Sequence, residues 1–170
     1  MAIHRHRYAI LTMSDKGSRG EREDLSGEVI RRAVAGLDGE VVAYEIIPDE
    51  GPQIQSKLRA WADELRPDVI LTTGGTGLAP RDVTPTATMA VIEYEVPGIP
   101  EAMRAESLKK TPNAMLSRMV AGVRGSTLIV NLPGSPRAVR ECLEVIIPAL
   151  PHAVETLRGA VGDHARPLHS

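Results

Sequence analysis

The sequence contains no phenylalanine, a single tryptophan, Trp61, and a single cysteine, Cys142. Its core has to be aliphatic, and the aromatic platforms that stack single-stranded nucleic acid have few side chains to be made from. One cysteine cannot form an internal disulfide. Cys142 lies in RECLEVIIPAL, spaced with Leu143, Ile146, Ile147 and Leu150 like the apolar side of a helix, and reads as a core thiol rather than a nucleophile. No apolar run reaches the ~20 residues of a membrane span. The opening MAIHRHRYAILTM has too short an apolar stretch for a signal peptide, so a cytoplasmic protein is expected. A net charge of -2 and a pI near 6.2 argue against a general nucleic-acid or membrane partner. The five histidines have no metal-ligand spacing, and no Ser-His-Asp order can be defended.

What is present is 170 residues, 42% of them hydrophobic. That length suits a single domain over residues 1–170, with 160–170 expected as a loose tail. Folding at this size buries roughly 70% of the unfolded surface, so no metal or disulfide staple is required. Four short runs read as strands: Tyr8–Thr12, Glu40–Ile47, Asp68–Thr73 and Thr127–Leu132. They are rich in Val, Ile and Leu with little alternation, as strands covered on both faces are. Helical patterns fill the intervals at Leu25–Val34, Pro52–Leu65, 85–95, 100–110, 113–122 and 136–158, the last bent near Pro148 or Pro151. Strand followed by helix, repeated, predicts an α/β fold with a largely parallel central sheet.

Open parallel sheets bind ligands at the carboxyl ends of their strands, so the loops there carry the chemistry. After the third strand comes GGTGLAPRDVTP, and after the fourth PGSP. Gly74, Gly75 and Gly77 leave a bare backbone around Thr76, and successive N–H groups of such a turn can make an anion nest. Thr84-Pro85 and Ser135-Pro136 each read as an N-cap followed by a first-turn proline, which adds the positive end of a helix. Each element also has a structural reading, as a tight turn from sheet to helix. The Walker-type phosphate loop is excluded by the lack of a Lys-Ser/Thr pair, and the GxGxxG fingerprint fails because Pro80 stands where the last glycine should be.

Asp49, just after the second strand, and Asp82, in the glycine loop, would converge on one sheet edge. Paired carboxylates beside a phosphate nest suit Mg²⁺. Read singly, Asp49 caps the helix near Pro52 and Asp82 pairs with Arg81. Asn131 ends an apolar strand, where its amide needs partners. A structural hydrogen bond is the default there, and a ligand contact the alternative. Arg118, Lys109, Lys110 and Arg137 offer either a positive rim or solvated helix charge.

The strings LTTGGTGLAPRDVTPTAT, PDE and NLPGSP resemble the molybdopterin adenylyltransferase family, which includes the N-terminal domain of gephyrin, and the similarity runs from about Tyr8 to Leu157. The resemblance implies a three-layer α/β fold, commonly a homotrimer. It also implies transfer of AMP from Mg-ATP to molybdopterin with release of pyrophosphate, ahead of hand-over to a molybdenum insertase. It assigns Asp49 and Asp82 as the catalytic, metal-binding pair. Thr76, Ser107, Ser117 and Asn131 match molybdopterin-contacting positions, and Gly74, Gly75, Gly77, Gly134 and Ser135 complete the expected substrate-binding set. A weaker match places Ser14, Asp15 or Asp24 on the nucleotide. A non-catalytic molybdopterin-binding or scaffold paralogue of the same fold is the alternative. Retention of both aspartates, and the lack of an appended domain, favour the enzyme.

Overall fold

The computed structural model describes residues 5–159. In chain order these form β1 (Arg7–Met13), α1 (Asp15–Ser18), α2 (Leu25–Gly36), β2 (Glu40–Ile47), α3 (Gly51–Ala60), β3 (Val69–Thr73), α4 (Thr84–Met89), β4 (Tyr94–Glu95), α5 (Gly98–Leu108), β5 (Ala121–Arg124), β6 (Thr127–Leu132), α6 (Pro136–Ile146) and α7 (Leu150–Leu157). The expected tail over 160–170 lies outside the described residues. No helix among the described residues is long and apolar enough to cross a membrane.

One six-stranded sheet runs in the order β2-β1-β3-β6-β5-β4. β2, β1, β3 and β6 are mutually parallel, while β5 and β4 run antiparallel to their neighbours. The strand period of two distributes the apolar runs to both faces. Tyr8, Ile10, Val69, Leu71, Leu128, Val130 and Leu132 face α2, α5, α6 and α7. Ala9, Leu11, Met13, Ile70 and Ile129 face α3, α4 and the turn after α3, where Trp61 packs. The result is three layers, as expected. Cys142 is buried in the first core, and burial holds its thiol above the ordinary range.

Two helix expectations are corrected. Segment 113–122 contains a short 3-10 turn, Pro112–Leu116, and then β5, which returns through Gly125-Ser126 into β6. Gly125 has φ +59, and a Gly-Ser pair between two β runs is a hairpin signal that outweighs the apolar spacing before it. Segment 85–95 is helical only to Met89. The chain then joins the sheet as β4, with Glu93 N donating to the Val123 carbonyl at 2.8 Å. Gly122 lets β4 come this close, since a Cβ there would stand 2.6 Å from the Tyr94 carbonyl oxygen. The bend near Pro148 is present as the 3-10 turn Ile147–Ala149.

Candidate functional site

The carboxyl ends of the parallel strands lie along one edge, and their loops enclose a cleft of about 660 Å³. Met13 and Ser14 line it from the end of β1, Asp49 from β2, Gly74, Gly75 and Asp82 from β3, and Gly134 and Ser135 from β6. The glycine turn is tied to its neighbour loop by the Thr73 hydroxyl, which donates to the Pro133 carbonyl at 2.5 Å. Gly74 has φ +95 and Gly75 φ +67, in the left-handed region that disfavours side chains. Space is as limiting as torsion. A Cβ on Gly74 would collide with the Met13 carbonyl oxygen, and one on Gly75 with Thr84 Oγ1.

Asp49 and Asp82 both reach this cleft, and both are half-buried. Asp49 does not cap α3, whose N-cap Glu50 makes no side-chain capping bond. Its Oδ2 accepts from Asp15 N at 3.0 Å, leaving Oδ1 beside Gly75. Burial raises the Asp49 pKa, with the charges of Asp15 and Asp82 adding to it, against the Asp15 N–H and Arg81. Asp82 does not pair with Arg81. Its Oδ2 accepts from Ala79 N at 3.0 Å, while Arg81 forks onto Asp15 at 2.7 and 2.9 Å and reaches Glu50 at 2.8 Å. Two carboxylates thus meet in the cleft, neither in an ion pair of its own with a basic side chain among the described residues. Among those residues no three acidic, His or Cys side chains gather into a metal cage. That donor set fits Mg²⁺, which takes one or two protein carboxylates and completes its shell with substrate phosphate and water.

The other expected residues separate. Thr76, Gly77, Ser107 and Ser117 line a second hollow of about 280 Å³, on the far side of the glycine turn, with Leu116, Met119 and Pro133. Asn131 lines neither cavity. It is fully buried, its Nδ2 donating to Thr72 and Thr88 hydroxyls at 3.0 Å each and its Oδ1 accepting from Val120 N at 3.2 Å. These bonds are those of the structural reading, joining β3, α4 and the approach to β5. Ser135 does cap α6, accepting from Ala138 N at 3.2 Å. Thr84 is not a cap. It is the first residue of α4, after Val83, and its Oγ1 is buried with no partner among the described residues.

The residues matched weakly to nucleotide are largely engaged. Ser14 caps α1 through Gly17 N at 2.9 Å. Asp24 caps α2 through Gly27 N and accepts from Thr12 and Tyr44 hydroxyls. Of the two readings of the basic residues, these pairings match surface helix charge, since Lys109 pairs with Glu106 and both Lys110 and Arg137 with Glu141. Arg118 braces the glycine loop instead, its N–H donating to the Thr76 carbonyl at 2.9 Å and its guanidinium to the Asp82 carbonyl at 3.1 Å. Sequence reasoning missed Ser26, whose hydroxyl donates to the Gly134 carbonyl at 2.8 Å and fastens α2 to the PGSP turn. Its position one residue after the helix start LSG carried no signal of that contact.

Residues 9–152 match the family model described as "Probable molybdopterin binding domain". A molybdopterin adenylyltransferase of Helicobacter pylori strain J99 is 45% identical over 152 residues, covering 88% of this chain and 86% of that protein. The Escherichia coli K12 protein of the same name is 41% identical, covering 81% and 72%. The crystal structure of the molybdopterin biosynthesis enzyme MoaB from Thermus thermophilus superposes with a TM-score of 0.86 at 58% identity, over 91% of this chain and 97% of that one. On its fold, its motifs and these matches, the chain belongs to the molybdopterin-binding family of molybdenum cofactor biosynthesis proteins.

Proposed function

We propose that this protein is a molybdopterin adenylyltransferase, acting in the cytoplasm as a homotrimer and passing its product to a molybdenum insertase. A terminal phosphate oxygen of molybdopterin attacks the α-phosphorus of ATP. A new phosphorus–oxygen bond forms, the bond to the β-phosphate bridging oxygen breaks, and pyrophosphate leaves with that electron pair. No protein nucleophile is needed, since the substrate supplies one. The observation that carries the reading is the meeting of Asp49 and Asp82 in one cleft beside the glycine turn.

The larger cleft takes the nucleotide phosphates and the smaller hollow the pterin, whose family contacts Thr76, Ser107 and Ser117 gather there. The turn between them then holds both reacting phosphates, and proximity of this kind supplies much of the rate. Asp49 and Asp82 would hold Mg²⁺, which when bound supplies positive charge against the repulsion of two phosphates. The walls orient both substrates and limit water at the α-phosphorus.

The test is pyrophosphate release by purified protein with Mg-ATP, with and without molybdopterin. Release that depends on molybdopterin, together with adenylylated product, is the expected result. Tight molybdopterin binding with no release would reject catalysis and leave a carrier of the same fold.

A further inference from the structure

Asp15 touches both halves of the candidate reaction centre without lining the larger cleft itself. Its N–H donates to Asp49 Oδ2 and its Oδ1 accepts from Asp49 N, both at 3.0 Å. Its two carboxylate oxygens also take Arg81 Nε at 2.7 Å and Nη2 at 2.9 Å. Arg81 immediately precedes Asp82, and its Nη2 continues to Glu50, the neighbour of Asp49. The loops after β1, β2 and β3 are thereby joined in a closed ring.

We propose that Asp15 is a positioning residue, whose carboxylate holds the Asp49 main chain and the Arg81 fork together and so sets the spacing of Asp49 from Asp82. The inference rests on the adenylyltransferase reading of those two aspartates. The reciprocal pair with Asp49 turns Oδ2 away to the Asp15 N–H and leaves Oδ1 on the Gly75 side, with no hydrogen bond among the described residues. The Arg81 fork draws the Asp82 loop toward the same anchor. An isolated ion pair at this exposure, with Arg81 54% accessible, adds little to stability. Its effect is expected in geometry, where a displacement of about 1 Å can cost on the order of 100-fold in rate.

The test compares Asp15→Ala, Asp15→Asn and Arg81→Gln with wild type, in initial rates of molybdopterin-dependent pyrophosphate release, with ATP affinity read by calorimetry. Asp15→Ala should lower kcat about 10- to 100-fold and leave KM for ATP and for molybdopterin within about twofold. Asp15→Asn keeps an acceptor for Asp49 N and should recover part of that loss. Adding Arg81→Gln to Asp15→Ala should lower kcat little further, because the ring acts as a unit. Wild-type kcat in Asp15→Ala overturns the proposal. So does a loss confined to ATP affinity, which would make Asp15 a nucleotide contact. Should Asp15→Ala fail to fold, Asp15→Asn and Arg81→Gln decide by the same split. An inactive wild type removes the parent reading, whereas an active wild type with an unimpaired Asp15→Ala removes this one alone.

Discussion

The cleft lined by Gly74 and Gly75 gathers the carboxylates of Asp24, Asp49 and Asp82 among bare main chain and hydroxyls. The hollow lined by Thr76 and Gly77 has one carboxylate, Glu141, and sets its hydroxyls among the apolar carbons of Leu116, Met119 and Pro133. The first cleft is assembled from loops at the ends of β1, β2, β3 and β6, so the parallel topology alone places it. The second hollow draws Ser107 from the end of α5, and Thr111 and Ser117 from the chain between α5 and β5, next to the antiparallel end of the sheet. On the proposed assignment, one loop serving two cavities lets reacting groups be brought together without a moving domain. It also means that recognition on each side can be altered separately.

The widest break between the two sides is expected from Asp82→Ala. Adenylate transfer should fall by ~10²–10³-fold, the scale of losing a group that stabilises transition-state charge. Molybdopterin binding, measured by equilibrium dialysis, should persist. An equal loss of binding would show that the cavities are not separable. Gly75→Ala strikes the turn they share. The left-handed backbone alone costs about 1–2 kcal/mol, and the close approach to Thr84 Oγ1 adds to it. Urea unfolding should register the loss, and transfer should fall along with it.

A narrower test is Ser117→Ala, which removes a hydroxyl from the second hollow only. KM for molybdopterin should rise about tenfold, the equivalent of about 1.4 kcal/mol, with KM for ATP unchanged. Thr84→Val replaces a buried, unpartnered hydroxyl by a methyl of similar shape, so stability should hold or rise by about 1 kcal/mol. A clear loss would mean that the hydroxyl has a partner after all.

Asp49→Asn should be inactive yet more heat-stable near neutral pH without divalent ions. Burial raises the folded-state pKa of Asp49. Ionising it therefore disfavours the folded state. That penalty is absent below the unfolded pKa and is complete once pH has risen through the folded one. The gain in melting temperature over wild type should accordingly vanish in acid. A gain that persists there would point to a cause other than charge.

The parallel half was legible because continuous Val, Ile and Leu runs leave few alternatives to covered strands, and the loops at their ends then follow. Asp49 and Asp82 could be placed together by that topology before any coordinate was known. The antiparallel end was harder to read. Met115, Leu116, Met119 and Val120 have helix-like spacing, yet the Gly125-Ser126 turn and cross-strand pairing outweigh it. The partners of a buried polar group are also non-local. Asn131 is 59 positions from Thr72 and 43 from Thr88, so the sequence announced the need for hydrogen bonds without naming who meets it. Thr84 had the residue type of a cap, but its backbone is already helical.

Asp68 stands just before β3, at the end of the sheet away from both cavities. It accepts from Arg7 N at 2.7 Å, and from Arg158 Nε and Nη2 at 2.8 and 2.6 Å. The first strand and the last helical turn among the described residues are therefore pinned at one pole, with the candidate cleft at the other. A fluorophore attached beside Arg158 would sit at the back of the molecule and keep the candidate cleft facing solution.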